Sequence, residues 1–353
     1  MLRWFACLLI SSIFPAMGAA GHQENSGNME TFSLYSWAHL DASGDGLSVR
    51  RLRIGSKGSA FLTSRFKLEL DVDDDGTVEF RDAFAQITDS QVTLKLGAMR
   101  TPNSVNALTS SRLFIVLERA AFTRVFSLDR RVGFSAAYMS DKHALSAGVF
   151  AGNANGLAAS TGFALAVRAM QHQKLGAQYE LMLAASYLYR QKPIVKHFYG
   201  LEAALYGRRH WVIAEVGRQV SAASPGSPAQ PTGLDDTISG IGGYIEFGIA
   251  VRRNGPFRPY DAAFGERPSD LYVATRLDIL QVKSCTPRCH YSAFTLGLCW
   301  RTAANIRIAA NVFFTNTNIG TRFPDAQSFA PLAKRRGSAQ GTGALARLQL
   351  AFG

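Results

Sequence analysis

Cysteine, charge and long apolar runs are all scarce in this chain. Four Cys in 353 residues cannot staple a small disulfide scaffold. Only 18% of residues are charged against 47% hydrophobic. That excludes a disordered chain, which needs low hydrophobicity and high net charge. No fixed period or heptad run occurs, so collagen, coiled coil and low complexity are excluded too. Beyond residue 20 no stretch approaches the ~18 apolar residues that a membrane helix requires. What the chain does carry is positive charge, 38 Lys+Arg against 26 Asp+Glu for a net +12. Such an excess suits nucleic acid, a membrane surface or a small anionic solute.

The first twenty residues have the grammar of a secretory signal peptide. Arg3 is their only charge, an apolar run follows from Trp4 to Ile10 with Ile13 and Phe14, and Gly18, Ala19 and Ala20 close it. Removal after Ala20 is expected, with Gly18 as the alternative end. Cys7 leaves with the segment, so residues 21–353 form the mature domain.

Along the mature chain the dominant period is two. Leu62, Phe66, Leu68, Leu70 and Val72 share one face, while Thr63, Arg65, Lys67, Glu69 and Asp71 share the other. Val132, Phe134, Ala136 and Tyr138 alternate in the same way, as do Leu348, Leu350 and Phe352 opposite Arg347 and Gln349. A soluble sandwich also alternates. Export, and strands near the ~9–11 residues that cross a bilayer at a tilt, favour a membrane barrel instead. The expected strands are 31–40, 47–57, 60–72, 77–87, 91–99, 131–140, 142–152, 160–171, 176–190, 196–207, 210–221, 239–252, 269–282, 290–301, 304–314 and 343–352. They number sixteen, and bacterial outer-membrane barrels have even counts.

The expected fold is therefore all-β, a transmembrane antiparallel β-barrel in a Gram-negative outer membrane. Short periplasmic turns are expected at Gly58-Ser59, Thr88–Ser90, Asp141, Arg208-Arg209 and Thr302-Ala303, with long outer connections at 100–130, 222–238 and 315–342. The connection 253–268 is sixteen residues long where a short turn should be. Lipid offers no partner for backbone N–H and C=O, so the sheet must close. At sixteen strands its polar face encloses a water-filled lumen.

Charge then points to what the lumen favours. Arg51, Arg53 and Lys57 have the parity opposite to Leu52 and Ile54, and join Arg65 and Lys67 on the neighbouring strand in facing inward. Arg50 has the lipid-facing parity, which requires a rim position or a β-bulge. The third outer connection is long enough to fold inward. From 100 to 131 it carries Arg100, Arg112, Arg119, Arg124, Arg130 and Arg131 against only Glu118 and Asp129. Arginine's planar fork matches phosphate and carboxylate oxygens, so an arginine-lined narrowing should admit anions and repel cations. Arginines that merely face solvent or lipopolysaccharide are the plainer alternative for any single one.

At these residues the chain resembles the phosphate-selective porin family, the outer-membrane porins O and P. The matching runs are Arg50–Gly58, Phe66–Glu69, Phe80–Phe84, Leu96–Pro102, Leu108–Arg112 with Leu117–Ala120, and Arg130–Gly133. Further on come Phe257–Asp261, Phe264-Gly265, Thr295–Leu298 before Trp300, and Asn305–Arg307. The resemblance implies a sixteen-stranded homotrimeric porin that passes anions, with phosphate, pyrophosphate or polyphosphate preferred. By motif it places the anion path on Arg50, Arg51, Lys67 and Asp82, with Arg112 and Arg119 from the inward loop. Arg53, Arg100 and Arg131 complete the candidate constriction. Asp82 is expected to accept a hydrogen bond from the proton that hydrogen phosphate carries and sulfate lacks.

Other constellations compete. Asp71, Asp73, Asp75, Gly76, Thr77, Glu79 and Asp82 have calcium-loop spacing, but they lie between alternating strands rather than helices. A polar hairpin turn is the expected reading, and a calcium-dependent surface or adhesive barrel is the alternative from another class. Cys285 and Cys289 are expected to pair as a disulfide, leaving Cys299 free on a lumen-facing position. No nucleophile elbow, HExxH, Walker loop or catalytic carboxylate pair is present. The chain is expected to be no enzyme, to need no cofactor and to bind no nucleic acid. Its partners are small anions, outer-membrane lipid and lipopolysaccharide. A broad anion or general diffusion pore is the alternative within transport.

Overall fold

In the computed structural model the chain forms one closed antiparallel barrel of sixteen strands. The structure describes residues 31–44, 46–61, 63–73, 76–151, 162–191, 195–222, 239–252, 270–283, 289–303, 305–319 and 337–352. The strands are β1 (Thr31–Ser43), β2 (Gly46–Phe61), β3 (Ser64–Asp73), β4 (Val78–Asp89), β5 (Val92–Arg100), β6 (Arg130–Met139), β7 (His143–Ala151) and β8 (Phe163–Leu175). They continue as β9 (Tyr179–Arg190), β10 (Val195–Tyr206), β11 (His210–Ala222), β12 (Gly240–Arg252), β13 (Leu271–Val282), β14 (Cys289–Ala303), β15 (Ile306–Ile319) and β16 (Gly337–Phe352). Each pairs with its sequence neighbours, and β1 closes on β16 from Ser36↔Phe352 to Ser43↔Leu345. Among the described residues no helix is long and apolar enough to cross a membrane. The strands cross it.

The alternation in the sequence sorts into the two faces of the wall. Ile54 and Leu68 are exposed on the outside, whereas Arg53 and Glu69 are buried on the inside. A membrane barrel inverts the usual order, with apolar side chains outward to lipid and polar ones inward. The β2–β3 register sets charges opposite one another, Arg53 against Asp71 and Lys57 against Lys67.

Two bulges break the alternation where charge is densest. On β2, Arg51 pairs with His39 while Val49 pairs with the next residue, Leu40, so Arg50 is an extra residue. On β4, Ala83 pairs with Leu68 and Phe80 with Leu70, so Arg81 and Asp82 together oppose Glu69. A bulge re-aims side chains by placing two residues against one. Arg50 and Arg51, and likewise Arg81 and Asp82, both turn inward.

Expected turns shift: Thr88 and Asp89 still belong to β4 and Thr302-Ala303 to β14, so both turns come later. Gly58-Ser59 lies within β2, which runs on to Phe61 because Gly58 and Ser59 pair with both β1 and β3. The connection 253–268 falls outside the described residues, as do residues 1–30 with the signal segment.

Candidate functional site

Between β5 and β6, residues 101–129 turn into the barrel instead of projecting from it. The segment contains a single helical turn α1 (Val105–Leu108), a 3₁₀ turn (Ser111–Leu113) and a short helix α2 (Ala121–Phe126). Thr101 Oγ1 donates to the Leu128 carbonyl at 2.9 Å and so clamps the neck. Apolar residues then dock the loop against the far wall. Phe122 stacks on Tyr244 of β12, and Phe126 lies against Phe198 of β10. Gly242 allows this approach, since a Cβ there would overlap the Cβ of Phe122.

Polar groups on lumen-facing positions fix the loop's backbone. Glu215 on β11 accepts from Ser104 Oγ at 2.6 Å, from the Asn106 amide at 2.8 Å and from Tyr244 Oη at 2.9 Å. Ser186 Oγ donates to the Asn103 carbonyl at 2.7 Å. Arg307 on β15 donates to the carbonyls of Arg112, Leu113 and Phe114, and its Nε reaches Cys299 Sγ at 2.8 Å. Arg276 on β13 donates to the Glu118 carbonyl at 2.7 Å, and Arg347 on β16 to the Leu117 carbonyl at 3.3 Å. An inward loop exposes carbonyls that strands would have paired, and these guanidiniums satisfy them. These anchors run from β9 round to β16, whereas the loop meets β2 and β4 through the ion pairs of Glu118 and Asp129, so more of the β1–β6 wall is left facing the passage.

That wall is a lattice of cations held apart by carboxylates. Asp71, fully buried, meets Arg51, Arg53 and Arg81, each at 2.9 Å. Glu69 takes Arg53 at 2.8 Å and Lys67 at 3.2 Å, and accepts from Tyr35 Oη at 2.8 Å. Asp82 sits between Lys67 and Arg130, the latter at 2.5 Å. Asp129 bridges Arg81 at 2.9 Å and Arg130 at 3.3 Å. Two like charges about 5 Å apart repel by roughly 3 kcal/mol at an effective dielectric of about 20. The carboxylates offset that repulsion and fix each guanidinium in place. On the loop side, Glu118 meets Arg50 at 2.9 Å, Arg347 at 3.4 Å and Arg124. Burial pushes the Arg119 guanidinium down to about 10 and that of Arg124 to about 9, so both stay charged at neutral pH.

The residues singled out in the sequence divide by exposure and bonding. Arg50, Arg51 and Lys67 keep 36%, 21% and 29% of their side chains exposed. Arg112 is exposed at the 3₁₀ turn. Arg53 is buried, stacked 4.5 Å over Trp37. Arg100 spends its guanidinium on the carbonyls of Ala107, Leu108 and Thr109, and Arg119 on those of Asn106 and Thr109. Arg131 is half-buried beside Met99 in the β5–β6 register. Both oxygens of Asp82 are engaged by cations. Of the calcium-like residues, Asp71 is saturated by arginines, while the Asp73 side chain and Asp75 lie outside the described residues. Among the described residues no cluster able to hold a metal ion occurs. Cys285 and the Cys289 side chain lie outside the described residues, and Cys299 is a buried thiol whose sulfur accepts from Arg307. Arg276 was not singled out in the sequence and Arg307 entered only within a family-matching run, although each precedes an apolar outward residue, Leu277 and Ile308.

Comparison with known proteins fits this geometry. The family model for phosphate-selective porin O and P matches residues 33–197. An uncharacterized protein of Caulobacter vibrioides is 28% identical over 288 residues, which are 68% of this chain and 56% of that protein. The chain thus spans about half the length of the curated relative it matches. Among solved structures, the anion-selective porin from Comamonas acidovorans superposes with a TM-score of 0.63 at 13% identity, covering 92% of this chain and 100% of that one. In vitro folded OmpT of Vibrio cholerae, in its trimer form, gives 0.56 at 7% identity over 92% and 99%. At such identities the structural likeness shows the fold alone. The chain is thus a closed sixteen-stranded antiparallel barrel of porin fold, and it carries the phosphate-selective porin O and P signature across residues 33–197, the first half of that barrel.

Proposed function

We propose that the chain is an outer-membrane porin, a channel and no enzyme, that is anion-selective and passes small anions, phosphate first, between the β1–β6 wall and the inner edge of the loop. One observation carries the reading. The β2 bulge turns Arg50 and Arg51 inward together, Arg50 against Glu118 of the loop, while Asp71, Arg53 and Glu69 link Arg51 to Lys67 along the β2–β3 wall. Three partly exposed cations there offer a fork-and-point-charge surface suited to phosphate oxygens. A low-dielectric wall around them strengthens their hold on anions and their repulsion of cations. Arg112 adds charge from the loop, and Arg131 from the mouth of β6. Asp82 acts through Lys67, whose ammonium it orients, while Arg53, Arg100 and Arg119 keep the wall and loop in shape. Export by residues 1–20 and assembly as a homotrimer complete the proposal, the latter supported by the trimer form of OmpT.

Reversal potentials across a planar bilayer in asymmetric potassium chloride test the sign of selectivity. Wild type should read as anion-selective, and added phosphate should reduce chloride current. Arg50→Glu and Arg51→Glu should shift the reversal potential toward cations and weaken the phosphate effect. Unchanged selectivity in both variants would refute the assignment. Anion selectivity without any phosphate effect would leave a broad anion pore.

A further inference from the structure

One arginine stands on the lipid side of the wall. On β11 the side chains of Trp211, Ile213, Glu215 and Gln219 are buried toward the lumen, so Val216, Arg218 and Val220 project outward, and all three are exposed. Arg218 forms no ion pair with a described residue. It lies four residues before the end of β11, roughly 13 Å of strand from the loop side of the barrel. Strands tilt by about 40°, so this is roughly 10 Å of depth, which sets Arg218 at the outer rim of the apolar band, level with the residue opposite it on β10. An outward charge at that level is met most favourably by a lipid headgroup of opposite sign.

Its surroundings describe the occupant. Across the register Arg218 faces Tyr199 of β10, which is exposed on the same outward face. Tyr187 of β9 lies 5.4 Å from Tyr199 between ring centroids, and its hydroxyl is 2.9 Å from His197 Nδ1. Such amphipathic rings favour the headgroup level of a membrane. One step toward the membrane centre the outward residues are Leu201 and Val216, and beyond them Ala203 and Ala214. On the β9 side, Ala185 stands opposite Leu201. Alanines between leucines leave a shallow strip where a hydrocarbon chain can lie.

No Asp or Glu occupies an outward position on β8 to β12 among the described residues. A lipid phosphate supplies the missing charge in a geometry that a guanidinium fork fits.

We infer that the outward face of β9–β11 is a seat for phosphorylated outer-leaflet lipid, its phosphate on Arg218 beside Tyr199 and an acyl chain along the alanine strip. The seat lies outside the lumen and is independent of pore selectivity.

Native mass spectrometry of the mature barrel in detergent tests it, with bisphosphorylated lipid A and dephosphorylated lipid A as probes. Wild type should retain the phosphorylated form about tenfold more tightly than the dephosphorylated one, the scale of one charge-assisted contact. Arg218→Gln should lose that preference, Arg218→Lys should keep part of it, and reversal potentials should not change in either. Millimolar inorganic phosphate should not displace the bound lipid. Equal retention of both lipids by wild type would overturn the inference, and that arm stands even if Arg218→Gln fails to refold. An Arg218→Gln barrel that keeps the preference but loses self-association would assign the face to a subunit contact instead.

Discussion

Arg307→Met keeps an apolar stem on β15 and removes the guanidinium that donates to residues 112–114. The Phe114 carbonyl, 2.7 Å from Nη2 and buried, has no water to replace that donor, and the Arg112 carbonyl loses its partner as well. The Leu113 contact at 3.4 Å is long and adds little. Two bonds from a charged donor contribute about 1.5–3 kcal/mol each. The exposed Arg112 end will rehydrate, which brings the net loss to about 3 kcal/mol. That multiplies the opening constant of the 3₁₀ turn by roughly a hundredfold, since each 1.4 kcal/mol is about tenfold. The rest of the loop stays on Glu215, Arg276 and Arg347, so local opening is expected without loss of the barrel. Single-channel records of Arg307→Met should show a larger mean conductance and added fluctuation, with Arg307→Lys between it and wild type. Heat-modifiable migration on a gel would confirm that both barrels are folded. A folded Arg307→Met channel with wild-type conductance and noise would refute the anchoring role.

Two further substitutions probe the wall itself. Gly248→Ala should impair refolding, because a Cβ there would overlap the indole of Trp211, which is buried and donates from Nε1 to Glu246 at 3.2 Å. Refolding yield measured by gel shift checks this, and a wild-type yield would show that the indole moves aside freely. Arg53→Met should lower the thermal midpoint of the folded barrel. Breaking a buried pair costs about 3–5 kcal/mol, and Arg51 and Arg81 still serve Asp71, so the lower end applies. An unchanged midpoint by circular dichroism would mean that the Arg53 lattice adds nothing to stability.

Much of this architecture could be read from residues two apart. Ile54 against Arg53, and Leu68 against Glu69, already separate lipid from lumen, because a wall with one apolar and one polar face admits a single register. The bulges could not be read so directly. Arg50 broke the parity and signalled an irregularity, but Asp82 gave no comparable sign, since Arg81 and Asp82 are both charged and either could face inward. The loop's anchors were harder still. Arg307 acts on carbonyls some 195 residues earlier, and nothing local in Ile306–Ile308 announces that contact. Arg100 and Arg119 read as pore charges because composition reveals a guanidinium but not which oxygens it meets. Backbone carbonyls, present at every position, leave no trace in a sequence.

The seam between the first and last strands carries a consequence for the order of assembly. Asp41 and Arg347 stand opposite one another across it, bonded at 2.7 and 2.9 Å, and the same guanidinium reaches the Leu117 carbonyl and Glu118. Until the ring is shut, that docking point does not exist. The last of the loop's anchors is therefore set only as the chain's two ends join, and an incompletely zipped barrel would be recognisable by its gape.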